Sequence, residues 1–447
     1  MAGPLRDIPQ FLAKNRAHHA TRRRPAPHRA PGQRAASTLT AVIEVVGVPA
    51  SGVAALPDVV RTLIGQAQVV IGSPRLLETL AVDAPESPDQ KRLPWPRPLV
   101  AGLDELLASV GNQSVVVLAT GDPLDSGIGT TLISRLGREQ VRIHPAVGSV
   151  ALARARMGWS TREADVLSLV STPPHAIRAL LTPGRKIIVL SADEHTPSAI
   201  SRELADAGWT ARLTVLGNLG SERETRHEIT GDGAGDLPRL NIVAVELPAD
   251  GPSIGTAAGR PDDAYENDGQ LTKREVRACA ISALRPTPGQ LLWDLGAGAG
   301  SVAIEWALHH PRCAAIAVER DPARADRIGR NAQRAGAVGV RVEQAASGDV
   351  VDSLPTPDAV FIGGGANTEL IDRAWAALRP GGRIVVHTVT IDTEQVVLDA
   401  ARRYGGGLSR ISIERAESLG TFLAWKPARP VVEWSATKPR DNEESPA

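Results

Sequence analysis

The sequence predicts an α/β protein of two domains, the second a doubly wound, Rossmann-like sheet. Three observations lead there: a length of 447 residues, β-runs alternating with amphipathic segments in both halves, and a glycine loop running from a buried strand into a helix at Asp294 to Ser301. Domains usually hold roughly 100–200 residues, so a chain of this length divides into at least two.

From Ala41 the pattern is strand, turn, helical segment, repeated. Runs rich in Val and Ile at 42–47, 69–72 and 115–119 are each followed by a segment with helical spacing, at 56–65, 74–80 and 128–136. Such alternation implies crossover connections and a largely parallel sheet. Further β-runs follow at 166–170, 186–190, 212–216 and 240–245. Between Pro248 and Asp263 the chain turns to Pro, Gly, Ala and Asp with no apolar period, the composition of a linker. We therefore expect a first domain at 41–248, a linker at 249–263 and a second domain at 264–438.

The second series opens with a helix over 272–284 and strands at 291–295, 314–319, 340–344, 359–363 and 383–387. Helices at 302–308, 323–335 and 370–378 separate them. After Tyr404 two β-runs, 407–414 and 420–425, lack an intervening helix and predict a hairpin closing the sheet, with 431–438 extending its edge. Segments 1–40 and 439–447 read as disordered tails. The opening, with Arg22, Arg23 and Arg24, has the composition of a transit peptide but lacks the apolar stretch of a secretory signal.

Lys plus Arg and Asp plus Glu both number 50, so no overall field draws the protein to nucleic acid or an anionic membrane, and any grip on an anion is local. Cys279 and Cys313 are the only cysteines, too few for a disulfide framework or a cysteine-rich zinc site. No metal is expected, and the usage fits a reducing cytoplasm. No apolar run approaches the ~20 residues that span a bilayer.

In the loop, Gly296, Gly298 and Gly300 alternate with Ala297 and Ala299 before Ser301. Glycines so spaced let the backbone turn sharply and approach a ligand, and the first N–H groups of the next helix face it. An acid should end the second strand to accept ribose hydroxyls, and Glu319 stands there. A nucleoside cofactor is thus expected. Asp294 before the first glycine suits the ammonium of a methionine moiety and repels a pyrophosphate. Together with the G-x-G-x-G spacing and the terminal hairpin, it favours S-adenosylmethionine over NAD.

Two sets of motifs then carry a family resemblance. YENDGQLTKREVR from Tyr265 to Arg277, WDLGAGAGSVAIEWA, AVERDP around Glu319 and PDAVFIGGG from Pro357 to Gly365 resemble the C15-methylating, C12-decarboxylating methyltransferases of corrin biosynthesis. The first half, with Gly47, the run from Val70 to Leu76, Gly121-Asp122-Pro123 and the segment Pro145 to Val150, is similar to the tetrapyrrole methylases that act on C5. Fused in this order they resemble the decarboxylating C5,15-methyltransferases that act on precorrin-6Y. The chain departs from the family pattern at Pro49, at Asp125-Ser126 and at Ala345-Ala346-Ser347. The resemblance implies a tetrapyrrole-methylase-type domain followed by a class I methyltransferase domain. It implies a cofactor site at Thr272, Asp294, the loop through Ser301, Glu319, Ala346 and Ser347, and a second at Gly47, Gly121, Asp122, Pro123 and Ser149. A tetrapyrrole substrate and a homo-oligomer are implied too.

A tetrapyrrole substrate carries many carboxylates, and Lys273, Arg274 and Arg277 are the expected grip, with Lys273 and Arg277 on one helix face at i, i+4. A solvated helix face is the alternative. Gly363 and Gly364 after strand four would leave room for a macrocycle, and a structural turn is the other reading. His387 ends strand five as a candidate substrate contact or an ordinary core histidine. Two rivals stay open: a nucleic-acid or protein methyltransferase, and a non-catalytic first half.

Overall fold

The computed structural model describes residues 42–83, 89–229, 236–252, 254–255 and 257–440. The expected tails at 1–40 and 439–447 lie outside the described residues, save Pro439 and Arg440.

The first half opens with β1 (Ile43–Val48), α1 (Asp58–Gln66), β2 (Val69–Gly72), α2 (Pro74–Asp83), β3 (Lys91–Pro94), α3 (Leu99–Val110), β4 (Val115–Thr120), α4 (Ile128–Leu136), β5 (Val141–His144) and α5 (Ser149–Met157). The five strands form one parallel sheet in the order β3-β2-β4-β1-β5. Alternate residues of β1 serve opposite cores: Ile43 and Val45 pack with Leu103 and Leu132, while Val46 and Val48 pack with Ile64 and Leu80. Burial on both faces explains why this strand reads as a continuous apolar run.

A second sheet follows from β6 (Ala164–Ser168), β7 (Lys186–Leu190), α6 (Thr196–Asp206), β8 (Arg212–Gly217), β9 (Thr225–Ile229) and β10 (Asn241–Glu246). Here the expectation of a parallel sheet fails. In the order β6-β7-β10-β8-β9 only β6 and β7 are parallel. Residues 218–224 between β8 and β9 are too few for a crossover helix, so β9 returns antiparallel, and β10 inserts between β7 and β8.

The second half comprises α7 (Arg274–Leu284), β11 (Leu291–Leu295), α8 (Ser301–His309), β12 (Ala314–Glu319), α9 (Pro322–Ala335), β13 (Val340–Gln344), α10 (Ser347–Val350), β14 (Ala359–Ile362), α11 (Thr368–Ala377), β15 (Arg383–Thr388), α12 (Ile391–Tyr404), β16 (Gly407–Ile411), β17 (Glu414–Leu419), β18 (Phe422–Pro427) and β19 (Val431–Thr437). The sheet order is β13-β12-β11-β14-β15-β19-β16, with β11 to β15 parallel. The chain reverses direction across the sheet between β11 and β14, the switch point at which such folds open a crevice.

The expected closing hairpin is built differently. β19, expected at the edge, lies between β15 and β16 and is antiparallel to both. β17 and β18 pair only with each other, leaving Leu419, Phe422, Leu423 and Trp425 exposed. Among the described residues no helix is long and apolar enough to cross a membrane, and no His/Cys/Asp/Glu cluster could hold a metal.

Candidate active sites

A cavity of about 890 Å³ opens at the carboxyl ends of β11, β12, β14 and β15, within the usual range for small-molecule sites. Gly296, Gly298 and Gly300 have φ of +73°, +60° and +74°, a left-handed geometry that favours glycine. A Cβ on Gly296 would stand 2.7 Å from the Gly364 carbonyl oxygen, so the glycine loop and the 363–365 loop touch and form one rim.

The loop's donors are largely spent within the protein. Gly296 and Ala297 N–H donate to the Val318 carbonyl, Gly298 N–H to Glu319 Oε2 at 2.9 Å, and Gly300 N–H to the Ala297 carbonyl. Ala303 N–H at the start of α8 donates to Asp294 Oδ2 at 3.0 Å. This corrects the expectation for Ala303 at the start of α8 and shows that the Gly296, Ala297, Gly298 and Gly300 N–H groups serve the loop's own geometry. Glu319 fits an uncharged polyol. Its two oxygens accept from Gly298 and Asp321 N–H, which fixes the carboxylate in the cavity wall with lone pairs left for hydroxyl donors.

Asp294 does not reach that wall. It is 1% exposed, caps α8 from beneath the loop, and keeps Oδ1 without a partner. Burial, reinforced by the charge of Glu319, pushes its carboxyl up to about 7 against the pull of the Ala303 N–H. Ala299, Gly300 and Ser301 are likewise buried behind the loop, whereas Gly296, Ala297, Gly298 and Glu319 line the cavity. Thr272, Ala346 and Ser347 line it too, as do Gly363, Gly364 and His387.

The expected grip on carboxylates divides. Lys273 lines the cavity with half its side chain exposed. Arg274 is exposed but outside the wall. Arg277 is fully buried: Nε donates to Glu305 Oε1 at 2.5 Å, and its other nitrogens donate to Asp262 and to the Thr272 and Arg260 carbonyls. Glu305 also accepts from Gly259 and Arg260 N–H and the Tyr265 hydroxyl. Arg277 is therefore the anchor that ties residues 259–272 onto α7 and α8, and no substrate carboxylate can reach it.

Other cations take the place expected of it. Arg320, Arg324, Arg373, Arg415 and Arg429 line the cavity beside Lys273, against the acids Glu319 and Glu369. Arg324 pairs with Asp268, Arg373 with Asp352 and Glu369, and Arg415 with Glu275. Arg320 and Arg429 have no ion-pair partner among the described residues. No local motif joins these residues, which come from separate elements.

In the first half, Gly47 at the end of β1, Gly121-Asp122-Pro123 after β4 and the segment leading to Ser149 on α5 come together. Gly121 N–H donates to the Val48 carbonyl at 2.9 Å, and a Cβ on Gly47 would lie 2.1 Å from the Gly121 oxygen and 2.8 Å from Ala146 N. One on Gly121 would lie 3.1 Å from Gly148 Cα. Asp122 Oδ1 accepts from Leu124 N–H, the turn-capping bond. Beside it, burial and the charge of Asp122 raise the Asp125 carboxyl, with Arg154 opposing.

A parallel sheet whose loops meet in glycines, joined to a doubly wound sheet with an acid-tipped second strand, defines a two-domain methyltransferase. Residues 42–232 match the family model described as tetrapyrrole (corrin/porphyrin) methylases, and 263–438 that described as a precorrin methyltransferase domain. A precorrin-6Y C(5,15)-methyltransferase (decarboxylating) from Sinorhizobium sp is 42% identical over 402 residues, 89% of this chain and 96% of its own. One from Mycobacterium tuberculosis is 38% identical over 89% of this chain and all of its own. The solved C-terminal domain of precorrin-6Y C5,15-methyltransferase from Rhodobacter capsulatus is 40% identical, covering 41% of this chain and 100% of its own at a TM-score of 0.40. The chain belongs to the family of decarboxylating precorrin-6Y C5,15-methyltransferases.

Proposed function

We propose that the protein methylates precorrin-6Y at C5 and C15 and removes the carboxylate of the C12 acetate. The 41–248 domain would act at C5 and the 264–438 domain at C15 and C12, with 249–263 as the linker. The observation that carries this reading is the similarity to the Sinorhizobium enzyme across 96% of that enzyme's length, through both domains in the same order.

S-adenosylmethionine would supply an electrophilic methyl group at each site. In the second domain Glu319 would accept its ribose hydroxyls, Gly296 to Gly298 would underlie its methionine part, and Ala346 and Ser347 would border the base. Two features support the fit: the carboxylate of Glu319 held rigid in the wall, and the orphaned Oδ1 of Asp294, which an ammonium seated over the loop would favour in its ionised form. In the first domain Gly47, Gly121, Asp122, Pro123 and Ser149 would form the second cofactor site. The carbons to be methylated belong to an enamine-like system and are already nucleophilic, so the protein's part is to align them with the methyl group in a dry cavity. The cationic rim would hold the substrate's carboxylates.

A cytoplasmic homo-oligomer completes the proposal, and the apolar hairpin β17–β18 supports self-association. Light scattering of the full chain tests it, with a monomer at micromolar concentration as the contrary result. The decisive experiment incubates the purified protein with precorrin-6Y and labelled S-adenosylmethionine and counts methyl groups gained and CO₂ lost by mass spectrometry. One methyl gained without CO₂ loss would sink the bifunctional reading.

A further inference from the structure

The cavity of the second domain holds a buried polar pair that neither the glycine loop nor the cationic rim explains. β15 and β19 run antiparallel in a register that sets His387 opposite Glu433. His387 Nε2 lies 2.9 Å from Glu433 Oε2, and the two residues are 6% and 8% exposed. Their neighbours Val385, Val386 and Trp434 are wholly buried. A sheet so placed is served at least as well by two apolar residues, because a buried polar or ionic pair gives up hydration that its mutual attraction barely restores. The fold alone gives no reason for the pair.

The rest of the geometry points to the cavity. His387 forms part of its wall. The Phe361 ring meets the imidazole edge-on at 5.0 Å and limits its rotation. Nδ1 is buried with no hydrogen-bond partner, and a buried polar atom left unmatched is often one that a ligand completes. Imidazole gives and takes protons near neutral pH, and His387 is the only histidine of the wall among the described residues. The other acids and bases there have partners or stay charged: Glu319 accepts two backbone N–H groups, Glu369 pairs with Arg373, Lys273 lies 3.9 Å from Asp262, and the arginines stay charged.

We propose that His387 delivers the proton that ends the decarboxylation, with Glu433 as its positioning residue. The inference rests on the reading above that this domain removes a carboxylate. The bond between the side-chain methylene and its carboxylate breaks, CO₂ leaves, and the bonding pair moves into the conjugated imine system of the macrocycle. The pair then returns to the methylene carbon, which takes the proton from Nδ1 of the imidazolium. The side chain ends as a methyl group, the ring system is restored, and the neutral histidine is reprotonated by water. The sum is one carboxylate and one proton converted to CO₂ and a C–H bond, with no oxidant or reductant. Glu433 accepts the Nε2–H throughout, which leaves Nδ1 as the nitrogen that changes protonation.

The test uses the full chain with precorrin-6Y and S-adenosylmethionine, and reads CO₂ released per methyl transferred to C15. His387→Gln keeps a donor toward Glu433 but cannot pass a proton. It should release CO₂ about 10²-fold more slowly for each C15 methyl it transfers. A C15-methylated product heavier by one CO₂ then accumulates. Glu433→Gln should lower the same ratio on the order of tenfold, and added imidazole should restore CO₂ release to His387→Ala. Unchanged CO₂ release per methyl in His387→Gln overturns the proposal, as does a proportional loss of both products. Should that variant fail to fold, the ratio in Glu433→Gln decides. A parent protein that releases no CO₂ refutes the functional reading instead.

Discussion

Asp294→Asn separates what the buried carboxyl does for the fold from what it does for a ligand. Asp294 is 1% exposed, with Oδ2 on Ala303 N–H and Oδ1 unpartnered. Burial pushes it up to about 7, whereas an unfolded aspartate titrates near ~3.9. The folded protein thus holds this proton more tightly than the unfolded chain. The group favours the fold below the unfolded value, and that advantage is lost as pH rises toward 7. A difference of about 3 units at ~1.4 kcal/mol each puts the cost at pH 8 on the order of 4 kcal/mol. Asn keeps an acceptor for Ala303 and does not titrate. Its Nδ2 inherits the unpartnered position, so 4 is an upper figure. We expect the ligand-free variant to be more stable than the parent at pH 8, with the gain shrinking to roughly a third at pH 5. Hydrogen exchange of β11 and β14 amides, compared between the proteins at each pH, isolates this domain from the first. S-adenosylmethionine affinity should move the other way, rising from pH 6 to 8 in the parent and staying flat in the variant by calorimetry. A stability difference that does not change between pH 5 and 8, or a variant less stable at pH 8, would refute the reasoning.

Four other substitutions test the remaining assignments. Arg277→Met should cost about 3–5 kcal/mol in denaturant unfolding, because it leaves Glu305 buried and uncompensated; Lys273→Ala should change stability by less than ~0.5 kcal/mol and raise the KM for the tetrapyrrole. If Arg277 held substrate, its loss would raise KM without that instability. Gly47→Ala forces a Cβ to within 2.1 Å of the Gly121 oxygen, so the product should lack the C5 methyl yet carry the C15 methyl, one methyl short by mass. Glu319→Ala should weaken S-adenosylmethionine binding to the second domain roughly 10–100-fold, on the order of 1.4–3 kcal/mol, with little change in the first.

What was legible in the sequence was local, and what was missed was pairing at a distance. The alternation of β-runs and helical segments, the glycine loop and the acid ending β12 are periodicities within a dozen residues, and the structure has them where the pattern places them. Register between remote strands leaves no such trace. β19 reads as one more β-run, and only its pairing to both β15 and β16 shows it to be interior. The mixed sheet of the first half was missed for the same reason. Arg277 is instructive: the i, i+4 spacing predicts one helix face shared with Lys273, but Lys273 stands extended just before α7, and Arg277 turns inward to Glu305 on α8, which no local spacing reveals. The motif from Tyr265 to Arg277 carries a family resemblance in the sequence, and much of it is the brace that shapes the cavity wall. Asp268 takes Arg324 and Arg327, which hold its carboxyl well below the usual range, and Tyr265 takes Glu305 and lies under the Arg277 guanidinium at 4.8 Å.

The neutrality of the chain conceals the feature that bears most on its substrate. Equal totals of 50 acids and 50 bases say only that no global field exists, yet one cavity gathers six cationic side chains against two carboxylates. Lys273 precedes α7, Arg320 follows β12, Arg324 lies on α9, Arg373 on α11, Arg415 on β17 and Arg429 before β19, so folding alone brings them together. Several are already paired with acids at the rim, which keeps the cluster tolerable in the free protein and leaves exchangeable partners for an anionic ligand. Such a rim would suit the carboxylate-edged macrocycle of the proposed function, whereas single-stranded nucleic acid is typically held by a basic groove with stacking aromatics. Among the described residues only Phe361 of the aromatic residues lines the cavity apart from His387, and it is packed against that imidazole. On the proposed function, the charge that would select the acceptor is therefore a property of the fold, and the loop that would underlie the methyl donor is a property of the sequence.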